Sequence, residues 1–306
     1  MRNGAGSCVG VFFSRFDIFC FGSNIMQSAI ESAPRIAGLM THRTLLDFLD
    51  RHPRLFVLTG AGCSTESGIP DYRDAEGAWK RKPPVTFQAF MANEAVRRRY
   101  WARSLIGWRW FGRARPNAAH QSLARLESQG RIEKLVTQNV DRLHQAAGSR
   151  DVVDLHGRTD QMVCTDCGHS VLREPFQQQL LNRNPGWAHL DADAAPDGDA
   201  DLESQDFFDF DVPACERCGG LLKPDVVFFG EKVPATRVEE SMASLQRADA
   251  MLVVGSSLMV YSGFRFALAA AKAGKPIAAV NLGRTRADDL LAVKVSQSCT
   301  EALAEL

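Results

Sequence analysis

The chain has 306 residues, with 36 Lys+Arg against 36 Asp+Glu. A formal charge of zero excludes a nucleic-acid protein held by a broad basic surface, and 45% hydrophobic with 24% charged residues excludes an acidic disordered chain. Four of the eight cysteines form two C-x-x-C pairs, a metal-binding pattern that places the chain in a reducing, intracellular compartment without a disulfide framework.

Residues 1–40 read as a flexible leader or a mis-called start, with Met26 or Met40 as alternative beginnings and a transit peptide as the rival reading; Cys8 and Cys20 fall here. No run of 18 apolar residues predicts a membrane span. Thr41 to Arg51 is expected as an amphipathic helix with Leu45, Leu46, Phe48 and Leu49 on its apolar face. Leu55–Leu58 is a short buried-strand pattern running into Gly60-Ala61-Gly62. Leu135–Thr137, Met251–Val254 and Ile277–Val280 are three more such strands, ending at Gln138–Asp141, Gly255–Ser257 and Asn281–Gly283. Ser262 to Ala273, closed by Gly274, is helical, and so, on composition, is the Arg- and Trp-rich stretch 72–116.

Apolar strands separated by helices predict an α/β fold: a Rossmann-like parallel sheet with helices on both faces. Ligands bind beyond the carboxyl ends of such strands, where all four polar clusters fall. The boundaries drawn are 41–157 and 222–306 for a nucleotide-binding domain, with a small metal domain, 158–221, inserted in it. The Asp-rich stretch from Asn184 to Asp211 reads as a loop outside the core.

Five constellations carry chemistry. In the first, Gly60 and Gly62 permit close backbone approach to a pyrophosphate, and Ser67 to Arg73 forms a polar loop suited to clamping phosphate. Residue 65 is Thr where the dinucleotide fingerprint needs a third glycine, so a tight turn is the competing reading. The second is Thr137 to His144, where Asn139 and Asp141 alternate and both can face a ligand, or serve as cap and turn residues. The third is His156, before Gly157, which suits proton abstraction at neutral pH unless it is a structural histidine. In the fourth, Cys164, Cys167, Cys215 and Cys218 supply four thiolates for one tetrahedral, structural Zn²⁺, with His169 as a spare donor. In the fifth, Lys223 to Glu231 holds Val226, Val227 and Phe228 in an extended run that is either a peptide-pairing edge or an ordinary core strand.

Taken in order, Gly60 to Arg73, Thr137 to His144, Leu155-His156-Gly157, the four cysteines and Gly255-Ser-Ser-Leu258 resemble the sirtuin family of NAD-dependent protein deacylases. The similarity runs from about residue 41 to the end. Tyr72, Tyr100-Trp-Ala-Arg103, the long inter-cysteine loop and Gly255 to Ser262 resemble its class II branch, with lipoamidase/ADP-ribosyltransferase members and bacterial relatives.

The resemblance implies NAD and acyl-lysine meeting in one cleft, with nicotinamide, O-acyl-ADP-ribose and free lysine as products. It implies His156 as general base, with Asn139 also catalytic. It implies NAD contacts from Gly60, Ala61, Gly62, Ser64, Thr65, Ile69, Pro70, Asp71, Tyr72 and Arg73. Further contacts follow from Gln138, Asn139, Val140 and Asp141, from Gly255, Ser256 and Ser257, from Asn281, Leu282 and Gly283, and from the Cys299 backbone. Tyr100 and Arg103, on one helix face, are candidate readers of an acyl carboxylate, or a solvated pair; Val226 and Phe228 are candidate peptide contacts. Mono-ADP-ribosyl transfer and lipoamidase or longer-chain deacylation are alternatives on the same site. Acyl-lysine proteins are the expected partners, with no nucleic acid or membrane and a monomeric chain. The expected compartment is the cytoplasm of a bacterium, or the mitochondrial matrix of a eukaryote.

Overall fold

The computed structural model describes residues 44–80, 83–190, 200, 202, 206–304 and 306. The leader and residues 191–199, 201 and 203–205 of the Asp-rich stretch lie outside them. Strand β1 (Leu55–Thr59) is fully buried, β2 (Ile132–Thr137) and β3 (Val152–Asp154) extend the sheet on one side, and β7 (Ala250–Val254), β8 (Ile277–Val280) and β9 (Val293–Val295) extend it on the other. The order is β3-β2-β1-β7-β8-β9, and every pairing is parallel. The chain leaves β1 toward β2 and later returns to pair β7 on β1's other edge. The sheet therefore reverses its winding direction between β1 and β7, the point at which open parallel sheets form a ligand crevice.

Alternation fixes the two faces. Leu55 and Val57 enter one core with Leu252 and Val254, covered by α1 (44–51), α4 (Ala118–Ser128) and α9 (Cys299–Leu303). Phe56 and Leu58 enter the other with Met251 and Val253, covered by α7 (Ala235–Arg247) and α8 (Tyr261–Lys272). Each fully buried Leu or Phe contributes about 2–3 kcal/mol, so burial on both faces is what selects the strand at such short lengths. The four expected strands are present, and β3 and β9 join them as three-residue edges.

A second, three-stranded antiparallel sheet has the order β5-β4-β6, from β4 (Gly157–Cys164), β5 (Ser170–Leu172) and β6 (Leu222–Val226). Its core is aromatic. Phe90 of α2 (Phe87–Ala92) and Tyr100 and Trp101 of α3 (Glu94–Phe111) pack with Phe176 of α6 (Arg173–Arg183), Phe210 and Phe228. Short α5 (Leu143–Ala146) follows β2. Both sheets belong to one compact unit. No helix among the described residues is long and apolar enough to cross a membrane.

Two expectations need correcting. The stretch 72–116 is helical only from Phe87. Before it, Asp74 Oδ1 accepts from the Glu76 and Ala78 amides, and Arg73 bridges Trp79, closing a loop around Gly77 that no helix can thread. The Asp-rich stretch is not wholly outside the core: Ala200, Leu202 and Phe210 are buried, the first two beside Ile106 of α3. Single apolar residues between acids were enough to anchor it.

Candidate active site

The loops after β1 and β7 interlock. The Gly60 amide donates to the Val254 carbonyl at 3.0 Å and the Gly62 amide to the Gly255 carbonyl at 2.8 Å. Gly255 has φ +62°, and a Cβ there would stand 2.2 Å from the Cys63 nitrogen. Only glycine meets both demands. Beside them opens a cavity of about 950 Å³, within the range of small-molecule sites.

Its polar floor is one network. Ser64 Oγ donates to Asp141 Oδ2 at 2.7 Å, and Asn139 Nδ2 donates to Ser64 Oγ at 3.0 Å and to the Gly60 carbonyl at 3.0 Å. Burial raises the Asp141 carboxyl above its ordinary value, while the Leu143 amide and the Ser64 hydroxyl oppose the rise. Gln138 Nε2 donates to Ser256 Oγ at 2.7 Å and so joins the ends of β2 and β7. Arg142, next in chain to the cavity-lining Asp141, sits at φ +65° with its guanidinium paired with Asp154, and Leu258, which lines the cavity, sits at φ +57°.

His156 lies between β3 and β4. Its Nδ1 is 3.0 Å from the Gln138 carbonyl, which can only accept, so Nδ1 carries the proton. Nε2 is then a lone pair, accepting from Ser262 Oγ at 2.7 Å. Burial pushes the imidazole down to about 4, which keeps it neutral at physiological pH. A neutral imidazole with an oriented Nε2 lone pair in a cavity wall can take a proton from a bound hydroxyl.

The cavity wall gathers the expected residues. Gly60, Ala61, Gly62, Ser64, Thr65, Ile69, Asp71, Tyr72 and Arg73 line it from the first loop, with Gln138–Asp141 and His156 behind. Gly255–Ser257, Asn281–Gly283 and Cys299 line the far side, and Tyr100, Val226 and Phe228 the apolar side. Two expected residues do not line it. Pro70 shapes the turn, and Arg103 points its Nε at the Ala200 carbonyl, 2.8 Å away. Tyr100 and Arg103 are thus split: the tyrosine packs on Phe90 and Phe228, the arginine ties down the Asp-rich stretch.

Sequence reasoning missed Trp79, which stacks under Arg73 at 3.9 Å. It gave no role to Ser262, Arg265 or Ser298, which also line the cavity. Ser262 opens a helix more than a hundred residues from His156, and no spacing rule joins the two. Val226 ends β6, the outer strand of its sheet; Val227 and Phe228 continue past that end, the Val227 amide donating to the His156 carbonyl at 2.8 Å and the Phe228 amide to Glu231 Oε2 at 2.9 Å.

The four cysteines converge. Cys164 Sγ lies 3.5 Å from Cys218 Sγ and Cys167 Sγ 3.8 Å from Cys215 Sγ, with all four sulfurs within 4.8 Å of one another. Four Zn–S bonds of about 2.3 Å in a tetrahedron put sulfurs about 3.8 Å apart. The cluster therefore fits one closed, structural zinc. His169 is absent from it.

The model of the Sir2 family matches residues 60–262. The NAD-dependent protein deacetylase of Bordetella bronchiseptica is 66% identical over 264 residues, 86% of this chain and 96% of that protein. The NAD-dependent protein deacetylase 2 of Bradyrhizobium diazoefficiens is 66% identical over 267 residues, 87% of this chain and 98% of that protein. A solved structure of Sir2 with a p53 peptide and NAD⁺ superposes with a TM-score of 0.67 at 33% identity, covering 85% of this chain and 95% of that one. The interlocked glycine loops, the His156 site and the four-cysteine cluster all fall within these matches, and the chain belongs to the Sir2 family.

Proposed function

We propose that the chain removes acyl groups, acetyl first among them, from protein lysines with NAD as co-substrate. It is an NAD-dependent protein deacetylase. The observation that carries this reading is His156: a neutral imidazole in the wall of a cavity at the sheet's reversal point, its Nε2 lone pair held by the Ser262 hydroxyl that a substrate hydroxyl would replace, near the Ser64–Asn139–Asp141 network.

NAD supplies a ribose carbon with nicotinamide as leaving group, so that the acyl group can pass from lysine to ADP-ribose. The protein's residues do the rest. The Gly60–Thr65 and Gly255–Ser257 loops bring backbone close to the pyrophosphate, and Arg73 stands ready for phosphate charge. Asn281, Gly283 and the Cys299 backbone take the adenosine end. Asn139 and Asp141 orient the nicotinamide end, and Ile69 and Val140 close that end to water. His156 Nε2 takes a ribose hydroxyl proton, and the Gln138 carbonyl stabilises the imidazolium through Nδ1–H. The substrate strand lies along Val226–Phe228 as an added edge. Cys164, Cys167, Cys215 and Cys218 hold one zinc that braces the three-stranded sheet. Residues 41–157 and 222–306 act as the NAD-binding part and 158–221 as the inserted zinc part, whose sheet is completed by β6 from just past the second boundary. The chain works in the cytoplasm of a bacterial cell.

Incubating the protein with NAD and acyl-lysine peptides, read by mass spectrometry, is expected to yield nicotinamide, O-acyl-ADP-ribose and free lysine in equal amounts. NAD-derived label on a target protein without lysine release overturns the reading in favour of ADP-ribosyl transfer. Because Arg103 is engaged with Ala200, Arg103→Met is expected to leave the ratio of acetyl to glutaryl turnover within about twofold. A selective loss on glutaryl peptides would restore the arginine as acyl reader.

A further inference from the structure

Beneath the Gly60–Ser64 turn lies a second group of metal-ligating side chains. Cys63 Sγ and one ring nitrogen each of His120 and His144 lie within 4.8 Å of one another, and all three residues are buried, none more than 1% exposed. The two rings are 4.8 Å apart, centroid to centroid.

Hydrogen bonding leaves each histidine with a lone pair to give. His120 Nδ1 is 2.9 Å from Asn117 Oδ1 and 3.3 Å from the Asn117 amide nitrogen; the shorter contact is to an acceptor and puts the proton on Nδ1, which makes Nε2 a lone pair 4.0 Å from Cys63 Sγ and 3.4 Å from Ser64 Oγ. Thr59 Oγ1 spends its proton on Thr137 Oγ1 at 2.8 Å and so accepts from His144 Nε2–H at 2.9 Å. That leaves His144 Nδ1 a lone pair, and it is buried with no hydrogen-bond partner among the described residues. An orphaned acceptor on a residue of this buried group is a costly arrangement for a dry core. Burial also holds both rings neutral, His120 down to about 4 and His144 well below its ordinary value, so each ring keeps one of its two nitrogens as a lone pair. A second thiol adjoins the group: Cys299, whose proximity helps hold the Cys63 thiol high.

We propose that Cys63, His120 and His144 form a second metal site, for a borderline divalent cation of the zinc type. One thiol and two imidazoles are the donor set such cations select over magnesium or calcium. Binding releases the Cys63 thiol proton to solvent and forms one sulfur–metal and two nitrogen–metal bonds. The site lies one residue before Ser64, so the metal and NAD share a turn.

The test uses the full-length protein carrying its four-cysteine zinc, dialysed against buffered micromolar free Zn²⁺ and analysed for metal by mass spectrometry. Two equivalents per chain are expected for wild type. One equivalent is expected for Cys63→Ser and for His144→Gln, with affinity for the second falling at least about tenfold. Circular dichroism identifies the folded variants, and Cys63→Ala replaces any that misfolds. A single equivalent in wild type overturns the proposal, as does a second equivalent that persists in the folded variants. Deacetylation assayed separately keeps this outcome distinct from the proposed activity.

Discussion

At the scale of single residues, the site rests on where protons sit. His156 is fixed as a base by the Gln138 carbonyl on one nitrogen and the Ser262 hydroxyl on the other. His156→Ala is expected to cut turnover by at least about a hundredfold while NAD binding, followed by calorimetry, and the fold remain. Retained turnover would remove the base assignment. With the imidazole held at about 4, the acid limb of kcat/KM for the free enzyme is expected well below the ordinary histidine value near 6.5. A limb at 6.5 or above would mean that another group is titrating. The residues in this account were largely legible as strand-end clusters, since the sheet's geometry sends every such cluster to one edge. Ser262 and Trp79 were not, because each meets its partner through tertiary packing and neither breaks a local pattern. Arg103 shows the opposite failure: helical spacing placed it with Tyr100, and packing of the Asp-rich stretch took it away.

At the scale of elements, the substrate edge has its own brace. Lys223 of β6 is buried; its Nζ donates to the Val226 carbonyl at 2.5 Å and pairs with Glu231 Oε2 at 3.2 Å, and Glu231 also accepts from the Phe228 amide at 2.9 Å. Lys223 thus ties the end of its own strand to the turn that follows, and burial lowers its ammonium below the usual range against the pull of Glu231. Glu231→Gln keeps the shape but removes the charge beside a buried ammonium. Peptide KM is expected to rise about tenfold or more with NAD KM nearly unchanged. An equal rise in both would show that the brace serves the whole fold and not the edge. The element boundaries repeat the lesson of the residues. The apolar runs within β1, β2, β7 and β8 announced themselves, whereas β3 and β9, at three residues each, are strands only because a neighbour pairs with them.

At the scale of the whole molecule, stability should follow three buried histidines. His120, His144 and His156 all have folded-state pKa values lowered by burial. The unfolded chain binds these protons more tightly, so the stability they carry is full above about 6.5 and is lost as pH falls toward 4. For His120 and His156 that loss is about 3 kcal/mol each by pH 4. Denaturant midpoints are expected to fall steadily over that interval; a flat profile would place charged histidines in the folded state. Zinc acts on the other sheet. Stripping the four-cysteine metal with a chelator is expected to abolish peptide turnover and expose the aromatic core around Phe176 and Phe210, read as dye binding. Unchanged fluorescence would make the metal dispensable for that core.

The pairing of β1 with both β2 and β7 has a consequence for synthesis on the ribosome. Leu55 meets Ile132 on one side and Ala250 on the other. While the chain emerges, one hydrogen-bonding edge of a strand with four consecutive large apolar residues, Leu55 to Leu58, stays open until most of the polypeptide has been made. The Gly60–Ser64 turn lacks its Gly255 partner for the same interval. A nascent chain ending before β7 therefore presents a sticky ribbon and no nucleotide pocket, so NAD can reward only the finished molecule, and early termination leaves a fragment disposed to aggregate.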